Sequence, residues 1–432
     1  MRRIAVTGLA ALAVAFGASA AASSAFAAAS AANVTATVAA ASTAAITAHP
    51  AVAARIASAP RPKRQLWAVT CLAATNCVAV GQDLGTRLPL AETWNGARWA
   101  AIDLRLPKGT AVGTLEAVSC AAARSCVAVG LSGAAVALGT ADAEIPLAES
   151  WNGTVWKASR LPAPAGSQGA QLDGISCPSA TTCVATGVYI LPDGEPAGFA
   201  EVLRDGTWSV GKPPGLQHSD RYSMLDNVSC MSAASCVAVG SYGTLASPGG
   251  APAGTAVAES WNGRTWSEST LPVPSGTRYL WLYGVSCTPS KTCVAVGGRY
   301  LAGSKATAPV AETWSGGKWR AATPTANGAD PVLFAVSCAT AAGCLAVGGA
   351  DTATAAARSD AFADSWNGHG WAFARLPTPP EGDPPNASLA SSVSCLSATD
   401  CVAVGLAGPA GLLSYGFSGF WSGKGWRLVA TS

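Results

Sequence analysis

The sequence predicts an all-β chain: a seven-bladed β-propeller, four antiparallel strands per blade, with one intra-blade disulfide in each. Three repeated features predict it. A cysteine pair six positions apart recurs seven times and uses all 14 cysteines. A turn of Asn-Gly type, flanked by tryptophans, follows each pair. Successive first cysteines lie 49 to 57 residues apart. Repeats of that length, built of short apolar runs between turn signals, read as propeller blades.

The pairs are Cys71/Cys77, Cys120/Cys126, Cys177/Cys183, Cys230/Cys236, Cys287/Cys293, Cys338/Cys344 and Cys395/Cys401. In the fourth copy, residues 225–229 form a first apolar run ending at Cys230, and Cys236 opens Val-Ala-Val-Gly, ending at Gly240. A variable Gly/Pro/Ser loop extends to about residue 255, residues 257–261 lead into Asn262-Gly263, and Trp266 opens a last run ending at Leu271-Pro272. These are four β-type runs. Asn95-Gly96, Asn152-Gly153, Asn262-Gly263 and Asn367-Gly368 supply the positive φ of a tight hairpin. Asp205-Gly206, Ser315-Gly316 and Ser422-Gly423 are variants of it. Facing hairpin residues bring their Cα atoms to about 4.5–5.5 Å, so each cysteine pair is expected to staple its own hairpin. Zinc is the rival reading; its ligands stand two to four residues apart in most sites, and histidine support is missing.

Strand parity places the tryptophans. The residue before each Asn-Gly-type turn (Trp94, Trp151, Trp261, Trp314, Trp366 and Trp421, with Leu203 in the third copy) shares a face with the one after it. The latter are Trp99, Trp156, Trp208, Trp266, Trp319, Trp371 and Trp426. Such a pair suits packing against an adjacent sheet.

Arg2 and Arg3, an apolar core over residues 4–17, and small-residue sites at Ala18-Ser19-Ala20 and Ala25-Phe26-Ala27 read as a signal peptide over 1–27 rather than an anchor. Residues 28–64 are Ala/Ser/Thr-rich and read as a flexible linker. The propeller is expected over 65–432, with blades at about 65–113, 114–170, 171–223, 224–280, 281–331, 332–388 and 389–432. Export and evenly paired cysteines point to a secreted protein in an oxidising compartment. Only 12% of residues are charged and the net charge is +3, which excludes a nucleic-acid partner. The scattered His49, His218 and His369 argue against a metal cluster. No transmembrane span is expected in the mature chain, no cofactor fingerprint appears, and a monomer is expected.

Cys293-Val-Ala-Val-Gly297-Gly298, followed by Glu312-Thr-Trp314, Trp319 and, in another copy, Leu271-Pro-Val-Pro, resembles a kelch repeat across all seven copies. The resemblance implies a propeller. It departs from that family in that Gly-Gly is complete only at Gly297-Gly298 and Gly348-Gly349, and in the cysteine staple.

In such a blade the stapled turns and the Asn-Gly turns share one rim, and the variable loops share the other. Binding is expected on the variable rim. His218, Arg221, Tyr222, Arg278, Tyr279 and Trp281, read as inter-blade links, are candidate ligand contacts, against ordinary packing. An acidic residue two before the inner tryptophan recurs as Glu92, Glu149, Glu201, Glu259, Glu312 and Asp364. It reads either as a ligand ring or as a buried structural hydrogen bond to a neighbouring blade, and the second is favoured. For catalysis, Asp193, Glu195, Asp360 and Glu381 are loop carboxylates with no spacing that requires a pair. The expectation is a non-catalytic binding or scaffold module for a glycan or an extracellular protein. The alternatives are a glycan-processing enzyme and a purely structural envelope protein.

Overall fold

The computed structural model describes residues 63–134, 144–211, 213, 216, 222–244, 253–304, 306–325, 328–351, 359–377, 379, 387–408 and 413–432. The expected signal peptide and nearly all of the expected linker lie outside them, as do His218 and Arg221. The described residues form 28 strands and no α-helix, in seven consecutive antiparallel units of four. The first strands of the units are Arg64–Ala73, Val112–Ala122, Gly169–Ser179, Tyr222–Ser232, Thr277–Cys287, Ala329–Thr340 and Ala387–Ser397. Within each unit the strands pair in chain order, and one parallel bridge, Gly254 with Tyr279, joins the fourth unit to the fifth.

The repeat explains the local geometry. Each first strand carries a bulge that leaves one residue out of register: Trp67, Glu116, Asp173, Asp226, Tyr283, Phe334 or Ser391. Beside each bulge stands the glycine that follows the second cysteine by four. A Cβ on Gly240 would sit 2.1 Å from the Met224 carbonyl oxygen, and the same position in the other six units would meet that strand's backbone at 1.9 to 2.2 Å. The bulged strand therefore presses on its neighbour, and only glycine fits there.

All seven cysteine pairs form the expected local disulfides, with Cα atoms 3.9 to 4.0 Å apart. The staples are also part of the core. The second cysteines, Cys77, Cys126, Cys183, Cys236, Cys293, Cys344 and Cys401, are at most 4% exposed. Each opens a second strand and faces the residue before the Asn-Gly-type turn, as Cys77 faces Trp94, Cys126 faces Trp151 and Cys183 faces Leu203. Cys344 faces Trp366 and Cys401 faces Trp421 in the same way. A large apolar side chain thus stands beside each second sulfur, and the neighbouring unit completes the cover. Cys77 lies in the core between the first and last units, Cys126 between the first and second, and Cys183 between the second and third. Cys344 lies between the fifth and sixth, and Cys401 between the sixth and seventh. These residues are structural, and none of them is open to a ligand.

The turns behave as their residues require. Gly96 has a φ of 93°, and the Asn95 carboxamide oxygen accepts from the Ala97 and Arg98 amides. Tryptophans flanking these turns pair across the hairpin with ring centroids 5.2 to 5.6 Å apart. They pack on the preceding unit, as Trp261 and Trp266 do against Val184 and Val202. The stapled turns and the Asn-Gly turns share a rim: a Cβ on Gly263 would lie 2.9 Å from the Ala234 Cβ.

The first strands pack on one another in chain order, and Ala387–Ser397 of the last unit packs on Arg64–Ala73 of the first. The hydroxyl that precedes each first cysteine stitches these contacts. Ser119, Ser176, Ser229, Ser286 and Ser337 each accept the amide of the next unit's first cysteine at 2.9 Å. Ser394 of the last unit accepts from Cys71 of the first at the same distance. That seam also holds bonds from Ser391 Oγ to the Leu66 carbonyl (2.9 Å) and from Trp99 Nε1 to Ser418 Oγ (3.0 Å).

Candidate functional site

One cavity of about 370 Å³ is lined by the first strands of all seven units. Its walls are the last residues of those strands before the staples, so it lies toward the stapled ends of the units. The bulged residues give it two unlike sides. Glu116, Asp173 and Asp226 come from units two, three and four; Tyr283, Phe334 and Trp67 come from units five, six and one. Ser391 stands between the last two, and Ser176, Ser229, Ser286, Ser337 and Ser394 add hydroxyls.

The carboxylates are half-buried, because the channel reaches them while protein encloses their other sides. That enclosure shifts their acidity. Burial first, and then the charge of Asp173, pushes Glu116 up to about 8. Burial raises Asp173 to about 7, although Gln171 Nε2 donates to its Oδ1 at 2.7 Å and opposes the shift. Burial and Asp173 together raise Asp226 well above the usual carboxylate range. Near neutral pH this wall is thus largely protonated and can donate as well as accept hydrogen bonds. Among the described residues no three acidic, histidine or cysteine side chains come together as metal ligands. On the aromatic side Tyr283 and Phe334 have centroids 5.8 Å apart, and Trp281 lies 6.3 Å from Tyr283.

Four of the sequence candidates lie in strands rather than links, and none of them lines the cavity. The first strands of units four and five begin at Tyr222 and Thr277, and so take in Tyr222, Arg278, Tyr279 and Trp281. Tyr222, Tyr279 and Trp281 are only 1–3% exposed. The Tyr222 and Tyr279 hydroxyls bond to each other, Tyr279 donates to Ser241 Oγ at 2.9 Å, and Trp281 stacks on Tyr279 at 5.2 Å. These three rings, with Val332, form a cluster against which Tyr283 and Phe334 pack. The Arg278 guanidinium lies 5.4 Å from the Tyr300 ring centre. The rings that sequence placed at a binding rim therefore back the aromatic wall of the channel. The three channel carboxylates were missed because each occupies a column of the repeat, four before the first cysteine, that no shared residue marks.

The recurrent acids Glu92, Glu149, Glu201, Glu259, Glu312 and Asp364 are at most 1% exposed and lie away from the channel, midway along third strands. Glu92 Oε2 accepts from the Ser432 amide of the last unit at 3.3 Å, the kind of bond expected of the whole set. Neither oxygen of Glu201 or Glu312 has such a partner among the described residues. Burial raises Glu149, Glu201 and Glu312 to about 8 and Asp364 to about 7.

No family model matches the sequence, and no curated protein matches it either. Solved structures do match. A family 25 polysaccharide lyase, an ulvan lyase, has a TM-score of 0.52 at 9% identity, over 85% of this chain and 96% of that one. YCF48 bound to a D1 peptide scores 0.47 at 11% identity, over 83% and 94%. The lectin of Aleuria aurantia, a six-bladed β-propeller, scores 0.41 at 13% identity, over 85% and 95%. At these identities the likeness concerns the fold alone. The chain is an all-β protein of four-strand antiparallel sheets whose structural neighbours are β-propellers.

Proposed function

We propose that the chain closes into a seven-bladed, kelch-like β-propeller, exported to an oxidising compartment, and that it is a non-catalytic binding module whose ligand enters the axial channel. The observation that carries this reading is the two-sided cavity, with protonatable acids from three adjacent units and aromatic rings from three others. Rings supply stacking area, and neutral carboxyls and serines supply paired donors and acceptors. This combination suits a sugar or the polar side chain of an extracellular protein. Seven local disulfides fit the compartment, and among the described residues no helix is long and apolar enough to cross a membrane. The reading places the ligand in this cavity rather than on the variable rim because the acids and rings converge there.

A glycan array followed by calorimetry on the secreted chain tests the reading. Trp67→Ala and the Glu116→Gln/Asp226→Asn pair should each weaken binding by about tenfold or more, with the disulfide map unchanged. Ligand binding indifferent to all of these would overturn the assignment. One observation favours glycan processing instead: Glu116, held protonated up to about pH 8, has the state that a general acid needs. Turnover in a hydrolase and lyase panel, lost in Glu116→Gln, would establish that alternative. The fold does not choose, since its neighbours include both a lectin and a polysaccharide lyase.

A further inference from the structure

We propose a second site, at the perimeter between units three and four, for a saccharide bearing carboxylate or sulfate groups. An open groove of about 700 Å³ lies there, lined among others by Val202, Arg204, Gly211, Trp261, Arg264 and Trp266. It exists because the third unit departs from the repeat. At one register position of the outermost strand the units carry Ile102, Ser159, Gly211, Ser269, Ala322, Ala374 and Val429 in turn. Only the third lacks a side chain. A Cβ on Gly211 would lie 3.7 Å from Trp266 Nε1, so the missing group leaves the groove open beside that indole.

What the groove offers is specific. Trp261 and Trp266 stand 5.2 Å apart at 43°. Their Nε1 atoms are buried without an acceptor among the described residues, whereas Trp99 in the first unit donates to Ser418 Oγ at 3.0 Å. The indoles of Trp156, Trp371 and Trp426 also lack acceptors, but side chains fill the position that Gly211 leaves open. Arg204 donates to the Gly263 carbonyl and lies 5.9 Å from the Trp261 ring centre, which leaves its other N–H groups free for an anion. Arg264 adds a second cation, and no acidic residue lines the groove. Aromatic surface and two guanidinium groups match a sugar ring with an acidic substituent.

The test is calorimetry and tryptophan fluorescence on the secreted chain with three probes: tetragalacturonate, a sulfated chondroitin tetrasaccharide and cellotetraose. Binding of either anionic probe, with cellotetraose at least about tenfold weaker, is the expected result, and the two anionic arms separate carboxylate from sulfate recognition. Gly211→Ile restores what Ile102 supplies in the first unit, so it should fold normally and abolish this binding. Arg204→Gln should weaken it by about tenfold. The channel variants Glu116→Gln/Asp226→Asn should leave it unchanged, so the failure of one site does not mimic that of the other. Undiminished affinity in Gly211→Ile, equal affinity for cellotetraose, or no binding by any probe would overturn the proposal.

Discussion

Asp173 stands between two other acids, one on the preceding unit and one on the next. Its charge is the second cause, after burial, of the shifts at both Glu116 and Asp226. Asp173→Asn should therefore lower the pKa of both neighbours, bringing Glu116 below about 8. Infrared titration of the carboxyl carbonyl band would show it; a Glu116 midpoint that did not move would mean that burial alone sets the value. Because the three groups interact, the titration is expected as broad, overlapping steps. Binding of a cationic group at this wall would release protons, which calorimetry in two buffers of different ionisation enthalpy reads directly.

At the scale of the element, the unit is a hairpin whose first strand bulges over a glycine and is then locked by a disulfide. Gly240→Ala would drive a methyl group to 2.1 Å from the Met224 carbonyl oxygen. The bulge must shift or the sheet must part, at an expected cost of about 2–4 kcal/mol in urea unfolding. A loss below about 0.5 kcal/mol would show that the bulge is soft. The staple contributes through the unfolded chain: closing so short a loop is worth roughly 2 kcal/mol. The Cys230→Ser/Cys236→Ser pair should lose at least about that much, since Cys236 is also a core residue, while the bulge and its channel residue Asp226 keep their place. The same bulges carry the functional reading, since each aims one residue at the axis.

Across the whole molecule, buried acids set the response to pH. Glu149, Glu201 and Glu312 rise from 4.5 to about 8 and Asp364 from 3.8 to about 7 on folding. Between the unfolded and folded values the native state binds more protons, so stability is greatest below about pH 4.5 and falls as pH rises toward 8. The urea midpoint should be higher at pH 5 than at pH 8, and Glu201→Gln with Glu312→Gln should flatten the difference. A midpoint that rises with pH would show that these carboxylates are paired when ionised. The seam between the last unit and the first is a second whole-molecule test. Ser394→Ala removes the acceptor of the Cys71 amide and should cost about 1 kcal/mol, with faster hydrogen exchange at Cys71.

The local parts were written in the chain. A cysteine spacing of six, Asn-Gly turns and paired tryptophans specify hairpins through short-range geometry, so the four-strand units, their staples and the shared rim of turns follow from the residues alone. What surrounds a side chain does not follow, because it is supplied by other units. Cys77 and Cys401 read as turn staples until the adjoining units close over them. Tyr279 and Trp281 read as exposed link residues until neighbouring units bury them. Glu116, Asp173 and Asp226 look unrelated, lying in three repeats, until bulges bring them to one cavity wall. Gly211 is set beside a tryptophan that lies more than fifty residues further along the chain, in the next unit. Sequence by itself determined the repeated hairpin, because its forces act within a few residues; tertiary structure alone decided the channel and the groove, because both are spaces between units whose walls lie far apart along the chain.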